Sequence, residues 1–118
     1  MVAPQIGAVV VVPFPFSDLS STKLRPALVL AASGRNDWIC LQITSNPYSD
    51  PCAIEIDQSD FSSGSLRRVS FARPDKLFTA HVSLFQRVAG VLREETLASI
   101  RDTVIDILRQ PKDQVVPI

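Results

Sequence analysis

RPALVLAASGRNDWICLQIT, residues 25 to 44, contains two apolar runs, Ala27–Ala32 and Trp38–Thr44, separated by the polar segment SGRND at 33 to 37. Such runs on either side of a Gly- and Asn-containing connection read as a β-hairpin with a moderately long loop. Antiparallel pairing returns the end of the second strand to the start of the first. Positions 25 and 44 have the same sum as positions 34 and 35, so a ladder centred on the turn sets Arg25 roughly opposite Thr44. A register slip changes the detail but keeps both residues at one end of the sheet. A guanidinium fork and a hydroxyl therefore meet there.

Before this hairpin, Gly7 to Val12 is a β-branched run that predicts a first strand, and Pro13 and Pro15 are expected to limit it by removing ladder donors. SDLSSTKL, 17 to 24, is polar and turn-prone. After the hairpin, Asn46, Pro47, Ser49, Asp50 and Pro51 mark a turn, and AIEID at 53 to 57 alternates like a strand with one wet face. SDFSSGS, 59 to 65, reads as a loop, and RRVSFA and SLFQRVAGVL read as two short strands around PDKLFTAH. Many short strands with frequent turns predict a closed or nearly closed small barrel. The last element differs: EETLASIRDTVIDILRQ, 94 to 110, places Leu97, Ile100, Val104 and Leu108 on one stripe, the pattern of an amphipathic helix that Pro111 stops. No linker, repeat or low-complexity tract interrupts the chain, so residues 1–118 are expected to form one domain.

A chain of 118 residues, 46% hydrophobic, can bury a core without metal or disulfide staples. Its 12 basic residues balance 12 acidic ones, so any polyanion site must be local. Arg67, Arg68, Arg73, Lys76, Arg87 and Arg93, opposed only by Asp75, form a basic stripe if they share a face. Cys40 and Cys52 lack CxxC spacing, and with a single histidine they do not make a zinc site; they read as unpaired thiols in a reducing compartment. No segment approaches ~20 continuous apolar residues, so a cytoplasmic protein with no membrane role is expected.

The usual enzyme signatures are missing. His81 has no nucleophile or orienting carboxylate nearby in sequence, Cys40 sits in a core-like run, the acidic residues form no ligand-spaced cluster, and neither GxGxxG nor a Walker loop occurs. Arg25 remains, with Thr44 and Ser45. A guanidinium suits a phosphate and the charge of a phosphorane-like transition state. Thr44 can orient that phosphate, and no metal is required if the attacking group is a ribose 2′-hydroxyl. The same residues also read as an ordinary strand end with a β-favouring Thr.

GAVVVVPFPF with a polar loop after it, KLRPALVL, LQITSN, RRVSFARPDKLFTA and VAGVL ahead of the terminal helix together resemble the MazF/PemK family of bacterial toxins, from about Gly7 to about Arg109. The resemblance implies a mainly β fold, a small SH3-like barrel (MazF/PemK/CcdB-like) with a C-terminal amphipathic helix. It also implies a homodimer acting as a sequence-selective, metal- and cofactor-independent endoribonuclease on single-stranded RNA. The family's catalytic arginine and threonine fall on Arg25 and Thr44. Ser17, Asp18, Ser20, Ser21, Thr22 and Lys23 match its first loop, beside the RNA groove, and Ser45, Ser70 and Lys76 are further substrate-binding candidates. Phe14, Phe16 and Phe78 are candidates for stacking on unpaired bases or for packing. The implied partner is a cognate antitoxin, with operator DNA reached through the toxin–antitoxin complex. Two other functions fit the chain: a barrel toxin that binds DNA gyrase without nuclease activity, and a catalytically silent regulator that binds antitoxin and DNA.

Overall fold

The computed structural model describes residues 4–15 and 22–113. Seven strands and one helix follow in order: β1 (Ala8–Pro15), β2 (Thr22–Gly34), β3 (Asp37–Thr44), β4 (Ile54–Ile56), β5 (Phe61–Gly64), β6 (Ser70–His81), β7 (Arg87–Leu92) and α1 (Glu94–Leu108). All strands join one sheet in the order β4-β6-β3-β2-β1-β7-β5. Its two edges, β4 and β5, are consecutive in sequence. Ile56 and Phe61 are joined by a stretch that extends at most about 18 Å, whereas the edges of a flat seven-stranded sheet would stand about 29 Å apart. The sheet therefore has to curl, and the result is a half-barrel with one C-terminal helix.

Both faces are apolar, for different reasons. Val9, Leu28, Leu41, Ile43, Ile56, Phe61, Ala72 and Leu92 pack with Leu97, Ile100 and Val104 of α1. Each buried Val, Leu, Ile or Phe side chain among them contributes about 1.5–3 kcal/mol. On the opposite face Val10, Val12, Ala27, Val29, Cys40 and Ala80 pack beneath Val82 and Phe85, which a short 3₁₀ turn at Val82–Leu84 presents. Strand alternation explains the division, because neighbours along β1 point to opposite faces. The start of α1 is strapped to the sheet edge: Asp60 accepts from Thr96 Oγ1 at 2.9 Å, and Arg93 Nε donates to the Ser59 carbonyl at 2.7 Å.

Several elements depart from the expected pattern. The hairpin turn is shorter than expected, for Gly34 pairs with Asp37 and only Arg35 and Asn36 turn, both at positive φ, as a mirror-image two-residue turn requires. β1 runs on through Pro13 and Pro15, beyond its last pairing with β7 at Val11. Among the described residues it has a neighbour there on one side only, so a residue with no N–H is accommodated. SDFSSGS holds β5, which pairs with β7 through Phe61–Leu92 and Gly64–Gly90. Gly64 has φ +64, and a Cβ there would lie 2.3 Å from the Ala89 carbonyl oxygen, so only glycine allows this close crossing. PDKLFTAH belongs to β6, a single strand whose register jumps from Leu41–Leu77 to Ile43–Ala72, leaving RPDK, 73 to 76, as a bulge. Leu108, one helical turn beyond the buried Val104, is 70% exposed.

Candidate functional site

The β2–β3 ladder pairs Ala27 with Gln42, Leu28 with Leu41 and Val29 with Cys40. This is the register counted from positions 34 and 35; the chain itself turns at Arg35 and Asn36, and two register shifts between the turn and these pairs take up the difference. Continued two positions, it leads to Arg25 and Thr44. Val29 and Cys40 belong to the apolar cluster on the face away from α1, so alternation assigns Arg25, Gln42 and Thr44 to that face too. Arg25 lies within β2, since the strand begins at Thr22 and not at Ala27 as expected; it is half-buried and pairs across β1 with Val12. Beside Val12, an apolar groove of about 200 Å³ is lined by Pro13, Phe14, Phe78, Thr79, Ala80 and Leu84. Phe14 and Phe78 meet there edge to face, with centroids 4.9 Å apart.

Thr44 is 5% exposed and closes its own turn. Its hydroxyl donates to the Asn46 carbonyl at 3.0 Å and accepts from the Asn46 N–H at 3.1 Å. To donate to a phosphate the hydroxyl must rotate away from Asn46, so in this structure its two bonds shape the chain that follows it. Ser45 is exposed beside it. Ser70 is buried and donates to the Arg68 carbonyl at 3.1 Å, which holds the strand entry and leaves that proton engaged. Lys76 is exposed in the β6 bulge, and Lys23 is exposed on β2 opposite Phe14. Thr22 takes its place on β2 opposite Pro15. Ser17, Asp18, Ser20 and Ser21, with Phe16, lie outside the described residues.

The basic stripe does not form as one surface. Arg73 is drawn into the protein, where Nε donates to Asp50 Oδ2 at 2.9 Å and Nη1 to Gln42 Oε1 at 3.2 Å. Arg93 is tied to the Ser59 carbonyl in a 3₁₀ turn, Gln58–Asp60, that leads into β5, and Arg87 lies on β7, on the far side of β1 from the site. Arg67 and Arg68 remain exposed in the connection leading to β6, near Thr44 because Thr44 pairs with Phe71.

The expectation of scattered acids also needs correction. Asp50, Cys52 and Asp75 bring one potential ligand atom each to within 4.8 Å of one another. The bulge in β6 causes this, and no spacing in the sequence announces it. Arg73 already supplies positive charge to Asp50. Burial pushes the Asp50 carboxyl up, but the Arg73 guanidinium, the Cys52 N–H and the Asp75 side chain outweigh it and hold the carboxyl below its ordinary range. A depressed folded-state pKa gives stability that is present above the unfolded value, near pH 4, and lost as pH falls through the folded value. In urea unfolding, Asp50→Asn should therefore be weaker than wild type at pH 7 and approach it as pH falls below the unfolded value and through the folded one. A constant difference across that range would contradict the assignment.

Elsewhere, Cys40 and Cys52 are free, and burial pushes the Cys40 thiol up to about 11, consistent with a core residue that does not react. His81 is exposed and caps the 3₁₀ turn, its Nδ1 accepting from the Ser83 N–H at 3.1 Å. Among the described residues no helix is long and apolar enough to cross a membrane.

This architecture defines a class of small curled β-barrels closed by one helix, and solved structures share it. A mycobacterial endoribonuclease in complex with its cognate antitoxin superposes with a TM-score of 0.70 at 16% identity, over 94% of this chain and 98% of that one. MazF in a MazE–MazF complex from Deinococcus radiodurans gives 0.72 at 17%, over 94% and 100%. Mycobacterium tuberculosis toxin MazF-mt6 gives 0.67 at 16%, over 88% and 98%. Among curated protein sequences none gives a significant match. The profile of PemK-like, MazF-like toxins of type II toxin–antitoxin systems matches residues 5–108, and the chain belongs to that family.

Proposed function

We propose that this chain is a sequence-selective, metal-independent endoribonuclease toxin that cuts single-stranded RNA, with residues 1–118 acting as one toxin domain. The observation that carries the reading is the β2–β3 register, which leads to Arg25 and Thr44 on one face of the sheet. The ribose 2′-oxygen attacks the adjacent phosphorus, forming the O2′–P bond while the P–O5′ bond breaks. The 2′-hydroxyl loses its proton and the departing 5′-oxygen gains one, leaving a 2′,3′-cyclic phosphate and a 5′-hydroxyl. A guanidinium does not readily give up a proton, so Arg25 acts as charge on the phosphorane-like transition state. Thr44 orients the phosphate, and the exposed Lys23, Ser45 and Lys76 are assigned to further RNA contacts.

The antitoxin complexes among the structural neighbours support a cognate antitoxin as partner; in this reading the antitoxin covers the RNA groove, and the toxin is a cytoplasmic homodimer that reaches operator DNA through that complex. The test is a long mixed-sequence RNA incubated in EDTA, with the product ends mapped. Discrete cuts with cyclic-phosphate and 5′-hydroxyl ends are expected. Thr44→Ala should slow them about tenfold or more, with a smaller effect on nonspecific RNA binding. A folded, antitoxin-free protein that leaves RNA intact would instead favour gyrase binding or a silent regulatory role.

A further inference from the structure

The connection that follows Thr44 is built more rigidly than a loop needs to be. Asn46, whose backbone holds the Thr44 hydroxyl, accepts the Tyr48 N–H on its side-chain oxygen at 3.0 Å. The Asp50 N–H then returns to the Pro47 carbonyl at 2.9 Å, and the Cys52 N–H bonds Asp50 Oδ1 at 2.9 Å. Arg73, from the β6 bulge, grips Asp50 and Gln42 together, and so ties the loop to the strand that carries Thr44. Within this frame Tyr48 and Ser49 are consecutive non-glycine residues in the left-handed region, at φ +53 and +61. With the Asp50 N–H on the Pro47 carbonyl they form the mirror-image two-residue turn also seen at Arg35 and Asn36, a conformation that costs a bulky tyrosine more than an asparagine. This conformation presents the chain's one tyrosine to solvent, 66% exposed, four residues from Thr44.

We infer that Tyr48 is a substrate contact that stacks its ring on an unpaired base a few nucleotides from the cleaved phosphate. The inference rests on the endoribonuclease reading. Four residues of chain span at most about 14 Å, so the ring stays within reach of RNA bound at Arg25 and Thr44. A single-stranded base offers a π-face that a fixed aromatic side chain can take without hydrogen-bond matching, and one such stack is worth about tenfold in binding. Arg73 is the positioning residue, since it sets the loop and does not itself need to touch RNA.

The test compares wild type, Tyr48→Asn and Tyr48→Phe on a short RNA carrying the wild-type cut site. Asn tolerates positive φ, so the ring is removed without disturbing the backbone, while Phe keeps the ring. Binding is measured on the same RNA with a 2′-deoxy nucleotide at the cut. Tyr48→Asn should raise KM and weaken that binding about tenfold, with kcat within about twofold of wild type, and Tyr48→Phe should match wild type. An unchanged KM in Tyr48→Asn overturns the inference, as does an equal loss in Tyr48→Phe or a loss confined to kcat or dimer stability. If wild type leaves the RNA intact, the endoribonuclease reading fails and takes this inference with it; if wild type cuts, only the Tyr48 assignment is at stake.

Discussion

Arg25→Ala should retain its fold and lose cleavage by about a hundredfold to a thousandfold, the scale of removing one preorganised donor from a charged transition state. Arg25 is half-buried and lies at the end of the apolar cluster on the face away from α1, not within the core that α1 covers, so truncation removes charge without opening a cavity. The loss should appear in kcat, because the charge matters most when the phosphorus carries five oxygens. Arg25→Lys should recover only part of the rate, since an ammonium keeps the charge but not the planar fork. Cleavage time courses read beside circular dichroism and thermal unfolding check both statements. Normal cutting by a folded Arg25→Ala protein would remove Arg25 from the mechanism.

The largest effect on stability is expected from Arg73→Ala. The side chains of Arg73 and Asp50 are 15% and 3% exposed, so deleting the guanidinium strands a carboxylate away from water and leaves the Gln42 amide short of a partner. Breaking a buried pair from one side costs about 3–5 kcal/mol, which in a domain of this size lowers the melting temperature by about 10 °C or more. Arg73→Lys should fall between, because one ammonium cannot reproduce the paired grip on Asp50 and Gln42. Urea unfolding at pH 7 measures the difference. An unchanged midpoint in Arg73→Ala would show that the pair contributes nothing net.

The register that leads toward Arg25 and Thr44 was legible because a hairpin is local and its pairing can be counted outward from the turn. The count ran from Gly34 and Arg35, whereas the chain turns at Arg35 and Asn36; Ala27–Gln42 through Val29–Cys40 nevertheless match it, because the two register shifts nearer the turn take up the difference. The helix was equally legible, with Leu97, Ile100 and Val104 buried as their spacing requires. Leu108 has the same spacing and is exposed, because periodicity indicates a face but not how much of it is covered. β5 was hidden in SDFSSGS, a segment with loop composition that becomes a strand only by pairing with β7, about thirty residues away in sequence.

The sequence by itself determined the strand-rich class, the hairpin, the terminal helix and the candidate pair at the hairpin's open end, because each depends on periodicity or counting within a few dozen residues. A curled sheet was expected from the many short strands, but only the tertiary structure decided which strands form its edges, β4 and β5, and that a short chain joins them. It alone also decided which arginines meet solvent. Arg73 resembles its neighbours in sequence, yet a bulge turns it onto Asp50, 23 residues away. A charge can be consumed by a buried partner only where distant segments are packed together, and no local pattern encodes that packing.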